Sequence, residues 1–517
     1  MEGHLILVLV SVLVILIPQL MKVLLILAWR PYVVTIKYRK QGIVGPKYKF
    51  LYGCFKEVLS LKSSAEEIPM DINSHDITPR IFPHFLKWMS VYGRIYLFWF
   101  GPYPYIFLSD MELAKNVLLD KSGFYHKPAA PQAIKDLIGK SLVLIDGPDW
   151  VRHRSIVKPA FAIDKLKAMT KQIAECAKSM MDRWENQIIQ EKERRLEIEI
   201  LRQFQEVTAD TISRTAFGVG YMKGKEAFLA QKKLQDIAYA SIFRVQIPGF
   251  KYLPTNENRN RWRLEKIMRT NLMDIIQERM KSTDGGYGND LLGLMLHACS
   301  TDRKENTNYM SIDELIDECK SIFFGGHDST SLLLTWTMFY LSTNQDWQER
   351  LREEVLRECG KEVPNADMLS KLKFVNLVLM EALRLYGPFN LLARTATRNG
   401  NLGNIKLLKG TCVVIPTAIL HRDKEVWGQD ADKFNPLRFE NGLSKAANHP
   451  NAFAPFSLGP RTCIGQTFAM LEAKTVIAMI LQRFSFSISP NYVHEPTELI
   501  TLFPASGLQV VMKPLQA

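Results

Sequence analysis

From Ser311 to about Tyr340 the chain spells one long buried helix. Ser311-Ile-Asp-Glu314 has the form of a capping box, in which serine and glutamate satisfy each other's backbone N–H groups at a helix start. The apolar residues that follow suit a core helix. Inside this run lies Gly325-Gly326-His327-Asp328-Ser329-Thr330, a cluster of poor helix formers. Each glycine costs about 1 kcal/mol relative to alanine, so a core helix that keeps two of them needs a reason. One reason is a notch where another helix crosses closely, with Asp328 in an ion pair. The other is a ligand lying against the glycines, with hydroxyls bonding the preceding turn and leaving room for water beside an acid that relays protons. The helix alone leaves both open.

A second segment narrows the choice. Phe456-Ser-Leu-Gly459-Pro-Arg461-Thr-Cys463-Ile-Gly465 precedes an apolar, glycine-free stretch, Thr467 to Leu481, that reads as a helix. A lone cysteine at a helix start is ordinarily a small buried hydrophobe. Here the field of the following helix and nearby N–H groups favour a thiolate. The glycines let the loop turn tightly against a flat group, Arg461 offers paired donors to a carboxylate, and Phe456 can shield the sulfur. The seven cysteines, at 54, 176, 299, 319, 359, 412 and 463, are odd in number and form no C-x-x-C pair. They read as reduced thiols in the cytosol rather than a disulfide framework.

The 517 residues are 47% hydrophobic and 23% charged, which suits a large globular core and excludes a disordered chain. With no linker or repeat after about residue 60, residues 61–517 read as one catalytic domain. From Leu5 to Trp29 the chain is almost wholly apolar and long enough to span a bilayer. A cleaved signal is disfavoured because the first residues lack positive charge and no small-residue cleavage site stands out. Arg30, Lys37, Arg39 and Lys40 follow, and positive flanks stay cytosolic. Residues 1–30 are therefore expected to be a single-pass anchor in the endoplasmic reticulum membrane, with the domain in the cytosol. Residues 31–60, punctuated by Gly42, Gly45 and Pro46, are expected to be a basic hinge. The net charge of +13 suits an acidic protein partner or an anionic membrane. Dispersed basic residues and the absence of a recognisable module argue against nucleic acid.

Glu381 and Arg384 stand at i and i+3, a pair worth only about 0.2–0.5 kcal/mol if exposed. Trp150 and Arg154 supply donor types suited to carboxylates.

Together these pieces resemble the cytochrome P450 family. Phe456 to Gly465 matches every fixed position of its haem-binding signature, Phe-x-x-Gly-x-Arg-x-Cys-x-Gly. Gly325 to Thr330 is similar to its oxygen-binding motif, with Asp328 as the acid, Ser329 where the first threonine is usual, and Thr330 following. Glu381-x-x-Arg384 and Pro436-Leu437-Arg438-Phe439 resemble its Glu-x-x-Arg and Pro-x-Arg-Phe segments, with Leu437 replacing a common glutamate. Trp150 and Arg154 resemble its Trp-x-x-x-Arg helix.

The resemblance implies a mainly α fold with small β-sheets (α+β) and an N-terminal transmembrane helix. It implies haem b (iron protoporphyrin IX) between the central helix and the cysteine loop. Cys463 would ligate the iron, and Trp150, Arg154, Arg394 and Arg461 would meet the propionates. Phe456 and Gly465 would shape the loop, while Glu381, Arg384 and Arg438 would form a buried structural network. His327 is assigned no role. The implied reaction inserts one atom of O2 into a C–H bond of a lipophilic small molecule, with electrons from NADPH through a separate NADPH-cytochrome P450 reductase. A monomer is expected. Trp150 to Phe161, Leu383 to Pro388 and Asn435 to Asn441 are most similar to the plant clan of cytokinin, gibberellin, brassinosteroid, terpenoid and fatty-acid oxidases, nearest its fatty-acid-hydroxylase-like branch. Substrate contacts are expected before Trp150, near Phe243 to Phe250, on the central helix, and at Phe389 to Leu392 and Leu502 to Ser506. A haem-thiolate isomerase or dehydratase, or a haem sensor without turnover, would not need the acid-hydroxyl pair that this chain retains.

Overall fold

The computed structural model describes residues 14, 17–191, 193, 195–242, 249–281, 286–300 and 309–515. They fall into two compact units. The first joins the chain up to Glu67 with Thr78–Pro128 and Leu391–Pro416; the second joins Ile68–Ile77, Ala129–Asn390 and the chain from Thr417 onward.

The first unit is organised by a five-stranded sheet. Its strands are β1 (Ile95–Phe100), β2 (Tyr103–Leu108), β3 (Tyr125–His126), β4 (Leu391–Ala396) and β5 (Cys412–Pro416), in the order β1-β2-β5-β4-β3. Only β2 and β5 run parallel, as their distant sequence positions allow. Aromatic and β-branched residues favour these strands, and Tyr96 stacks on Phe107 with centroids 4.5 Å apart.

A helix over Ile17–Arg39, 23 residues, is apolar enough to cross a membrane. The apolar run's earlier part, at residues 5–13, 15 and 16, lies outside the described residues. Its last ten residues, α1 (Arg30–Arg39), end in a fully buried Tyr38. That hydroxyl lies 2.8 Å from Thr411 Oγ1 and accepts the Leu408 N–H. The stretch expected to be a hinge is packed onto β1: Leu97 N–H donates to the Val44 carbonyl at 3.1 Å, and Ile43 is buried. Gly45 is required there by space, since a Cβ would stand 1.8 Å from the Leu97 carbonyl oxygen.

The second unit is mainly helical. The helices that matter below are α2 (Gly147–Val157), α3 (Ile200–Phe217), α4 (Tyr221–Ile242), α5 (Ile312–Thr343), α6 (Lys373–Tyr386) and α7 (Gln466–Arg483). Small sheets complete it: Gln509–Pro514 pairs with Leu196–Glu199 and Phe484–Ile488, and β6 (Pro496–Glu498) forms a hairpin with β7 (Leu502–Pro504).

The central helix α5 begins as its sequence requires. Ser311 Oγ accepts the Glu314 N–H at 3.2 Å, and the Ser311 N–H donates to the Glu314 carboxylate at 2.8 Å. Most of α5 is buried, so its hydroxyls bond inward: Thr335 and Thr337 donate one turn back, each at 2.7 Å. Helix α3 crosses at Gly326, where a Cβ would stand 2.8 Å from Ile212 Cδ1. One of the two glycines is thus a packing notch.

Candidate functional site

The cysteine loop is held by its own backbone. Cys463 N–H donates to the Phe456 carbonyl at 2.9 Å, and Thr462 Oγ1 donates to the Gly459 carbonyl at 2.8 Å. Gly459 has φ +69°, and Ser457, a non-glycine residue, has φ +63°, local strain of the kind that a surrounding structure holds at functional turns. Helix α7 starts three residues after Cys463. The loop presents the thiol outward: Cys463 is the one exposed cysteine of the seven. It nonetheless lies deep among protein atoms. Burial pushes its pKa up, while the N–H groups of Gly465 and Gln466 and the charge of Arg154 pull it down.

Two guanidiniums share one indole near this loop. Arg461 lies 4.3 Å and Arg154 5.6 Å from the Trp150 ring. Arg461 also donates to the Ile145 carbonyl at 2.9 Å and pairs with Asp146. Arg154 has no carboxylate partner among the described residues. Burial destabilises both cations, so two desolvated positive charges face one aspartate.

Helix α2, which carries Trp150 and Arg154, is tied to α5. Arg152 pairs with Glu314 at 2.6 Å, and His153 Nδ1 lies 2.7 Å from Glu318 Oε1. Partial burial raises the pKa of Glu314, but hydrogen bonds from Arg152 and Ser311 outweigh it and hold the carboxyl at about 2, against 4.5 for a free glutamate. A depressed folded pKa gives stability that is full above about 4.5 and is lost as pH falls toward 2. The Glu314→Gln variant should therefore show a flatter dependence of denaturant midpoint on pH over that window. Parallel curves for the two proteins would refute this assignment.

On α5 the motif residues point different ways. Gly325 is exposed and a Cβ there would meet nothing within 4 Å, so this glycine, unlike Gly326, borders open space. The hydroxyl of Ser329 donates to the Gly325 carbonyl at 2.6 Å. Asp328 and Thr330 are buried, and Asp328 Oδ2 and Thr330 Oγ1 have no hydrogen-bond partner among the described residues. His327 is packed: its ring Nδ1 lies 2.7 Å from the Phe323 carbonyl, and its ring meets Phe228 edge-on.

Glu381, Arg384 and Arg438 come together as one network. Arg384 Nε and Nη2 donate to the two carboxylate oxygens of Glu381 at 2.7 Å each, and Arg438 Nε lies 3.3 Å from Glu381 Oε1. Glu381 also accepts the Asn435 N–H at 2.9 Å. Arg394 lies in the first unit, buried on β4, where it donates to the Ala393 carbonyl at 2.9 Å.

A family model described as Cytochrome P450 matches residues 68–512. Over 503 residues the chain is 48% identical to "Cytochrome P450 709B1" of Arabidopsis thaliana, covering 96% of each. It is 39% identical over 506 residues to "Cytochrome P450 734A6" of Oryza sativa subsp. japonica, covering 95% of this chain and 93% of that one. It is 38% identical over 497 residues to "Secologanin synthase 1" of Catharanthus roseus, covering 95% and 94%. The chain belongs to the cytochrome P450 family. This P450 is a haem-dependent monooxygenase of the plant clan.

The residues present fit haem b. The accessible thiol with N–H groups behind it suits an iron ligand that must be a thiolate. The unbalanced charge of Arg154 and Arg461 over one aspartate suits an anionic propionate. The open space at Gly325 suits a group close against α5.

Sequence reading missed several parts of this P450's site. Asp146, the partner of Arg461, stands four residues before Trp150 without a motif around it. Glu318 receives the Leu142 N–H at 2.6 Å as well as His153, a junction that only the packing of α2 on α5 creates. The residues expected at Phe243 to Phe250 lie mostly outside the described residues, from 243 to 248.

Proposed function

We propose that this P450 hydroxylates a lipophilic small molecule, a fatty acid, terpenoid or isoprenoid hormone, with electrons from NADPH delivered by a separate reductase. The observation that carries this reading is the accessible Cys463 thiol beside a half-buried Arg154 that has no acidic partner among the described residues. Bound haem supplies O2 activation, one oxygen atom entering a C–H bond and the other leaving as water at the expense of two electrons and two protons.

The chain's own residues would do the rest. Cys463 would hold the iron, with the Gly465 and Gln466 N–H groups steadying its negative charge. Trp150, Arg154 and Arg461 would bind propionate, and Phe456 would keep water from the sulfur. Asp328 would exchange protons at Oδ2, the Ser329 hydroxyl would hold water on the open side of α5, and the buried Thr330 hydroxyl would offer a polar contact from within. Serine at 329 keeps the hydroxyl but lacks the methyl that stiffens threonine. Its hydroxyl is turned to the Gly325 carbonyl, so it reaches water through an oxygen lone pair.

The N-terminal helix would anchor the protein in the endoplasmic reticulum membrane with its basic flank in the cytosol. Relatives bear names as different as a numbered P450 and a secologanin synthase, so the substrate within the lipophilic class is to be read from products. Microsomes containing the protein and a reductase should be offered fatty acids, cytokinins, gibberellins and triterpenoids, and a hydroxylated product that requires NADPH is expected. Product formed equally without NADPH would replace this reading with an isomerase or dehydratase. In the same system Ser329→Ala should keep the haem spectrum while releasing a larger share of NADPH electrons as peroxide. Equal peroxide yields would remove Ser329 from the mechanism.

A further inference from the structure

A hydrogen-bonded chain runs from the central helix through α4 to the β6–β7 turn. Asp328 Oδ1 accepts from Gln235 Nε2 at 3.2 Å. The same amide nitrogen bonds the Tyr239 hydroxyl, which lies 2.9 Å from Thr501 Oγ1. Gln235 and Tyr239 stand at i and i+4 and so share one face of α4. Gln235, Asp328 and Thr501 are all buried, at 8%, 3% and 1% exposure. The ring of Phe503 on β7 lies parallel to Tyr239 with centroids 6.2 Å apart.

The chemistry of these groups fixes the direction of every bond. An ionised carboxylate only accepts, so Gln235 must turn its nitrogen, not its oxygen, toward Asp328. Both amide hydrogens are then committed, one to Asp328 and one to the Tyr239 oxygen. The Tyr239 proton is left to donate to Thr501. An amide N–H has no ready basic site to take up a proton as it gives one away, so this chain orients the carboxylate and does not conduct protons. It leaves Asp328 Oδ2 buried and without a partner among the described residues.

We propose that Gln235, backed by Tyr239 and Thr501, is a positioning residue that anchors Asp328 by Oδ1 and reserves Oδ2 for proton exchange. This rests on the proton-handling role given to Asp328 above. It divides the two oxygens of one carboxylate between holding and reacting. It also makes proton delivery depend on α4 and the β6–β7 turn, elements outside the motif itself. A carboxylate released from this anchor would keep its charge but sample several orientations, and the reacting oxygen would be in place only part of the time.

The test uses the haem-loaded full-length protein with reductase, and two readouts that need no identified substrate. One is the infrared stretch of carbon monoxide bound to the reduced protein; the other is substrate-free NADPH oxidation. Asp328→Asn sets the reference by moving the band and slowing oxidation by about 100-fold, the low end for a lost acid–base group. Gln235→Leu should broaden and shift the band in the same direction and slow oxidation by about tenfold, the scale of one hydrogen bond to a charge. Tyr239→Phe, which removes a single oxygen, should give a smaller effect of the same sign with an unchanged melting temperature. If Gln235→Leu and Tyr239→Phe match the parent in both readouts while Asp328→Asn does not, the anchor is wrong and Asp328 keeps its role. If Asp328→Asn also matches the parent, the role of Asp328 falls and the anchor with it.

Discussion

Cys463→Ser will abolish the thiolate-type Soret band of the reduced, carbon monoxide-bound protein and, with it, NADPH-supported oxygenation. No other cysteine can substitute. Five of the remaining six are buried and Cys299 is only partly accessible. Burial pushes their thiols up, Cys54 to about 11 and Cys176, Cys299 and Cys412 each to about 12, where thiolate is scarce at neutral pH. Burial pushes the Cys463 thiol up as well; what sets it apart is that it is the exposed cysteine of the seven, with N–H groups of Gly465 and Gln466 and the charge of Arg154 opposing that rise. Serine keeps the size and loses the soft anionic ligand, so any haem that remains should show a spectrum without thiolate character. Cys299→Ala, the most accessible alternative, should leave the band intact. A Cys463→Ser protein that kept the band would overturn the assignment of the iron ligand.

The fold of the cysteine loop was legible in the sequence because most of it is local, whereas the charge of Arg154 beside the sulfur comes from far along the chain. Phe456, Gly459, Arg461 and Gly465 lie within ten residues, and a backbone bond from Cys463 N–H to Phe456 closes the loop on itself. The α5 start was readable for the same reason: Ser311 and Glu314 cap each other. The glycine pair was only half readable. Close crossing and open space looked like competing explanations, and each proves true of one residue, Gly326 against Ile212 and Gly325 toward no neighbour. Which glycine faces which way depends on where α3 lies, and that is a tertiary fact. Gln235 shows the limit most clearly. It sits in no motif, 93 residues before Asp328, and acquires meaning only because α4 packs against α5. Gly45 misled in the opposite direction, since a glycine read as a flexible joint is there to let two backbones approach.

The network of Glu381, Arg384 and Arg438 carries the other large expected effect. On a helix surface Glu381 and Arg384 would contribute a few tenths of a kcal/mol, but both side chains are fully buried. Removing the cation would leave Glu381 supported by Arg438 and the Asn435 N–H alone, so Arg384→Ala should destabilise the fold by about 3–5 kcal/mol. The loss should appear as a lowered denaturant midpoint and poor recovery of haem-loaded protein. Replacing a buried ion pair by two apolar residues is often neutral, which suggests a rescue by Glu381→Leu with Arg384→Leu. That rescue should fail here. All five guanidinium donors are used: two meet Glu381, and the others reach the carbonyls of His421 and Ala431 at 2.6 Å each and Lys433 at 3.2 Å. Three backbone carbonyls would lose their partner in the double variant, and the two in buried residues, His421 and Ala431, cost about 1–3 kcal/mol each when left unpaired. Arg384→Lys should fail as well, because a point ammonium cannot span a carboxylate on one side and three carbonyls on the other. A double-leucine protein as stable as the parent would mean that Arg384 serves only to neutralise Glu381. Continued instability would mean that it ties the chain from His421 to Lys433 to α6, which is how a charge pair can set the geometry of a site it never touches.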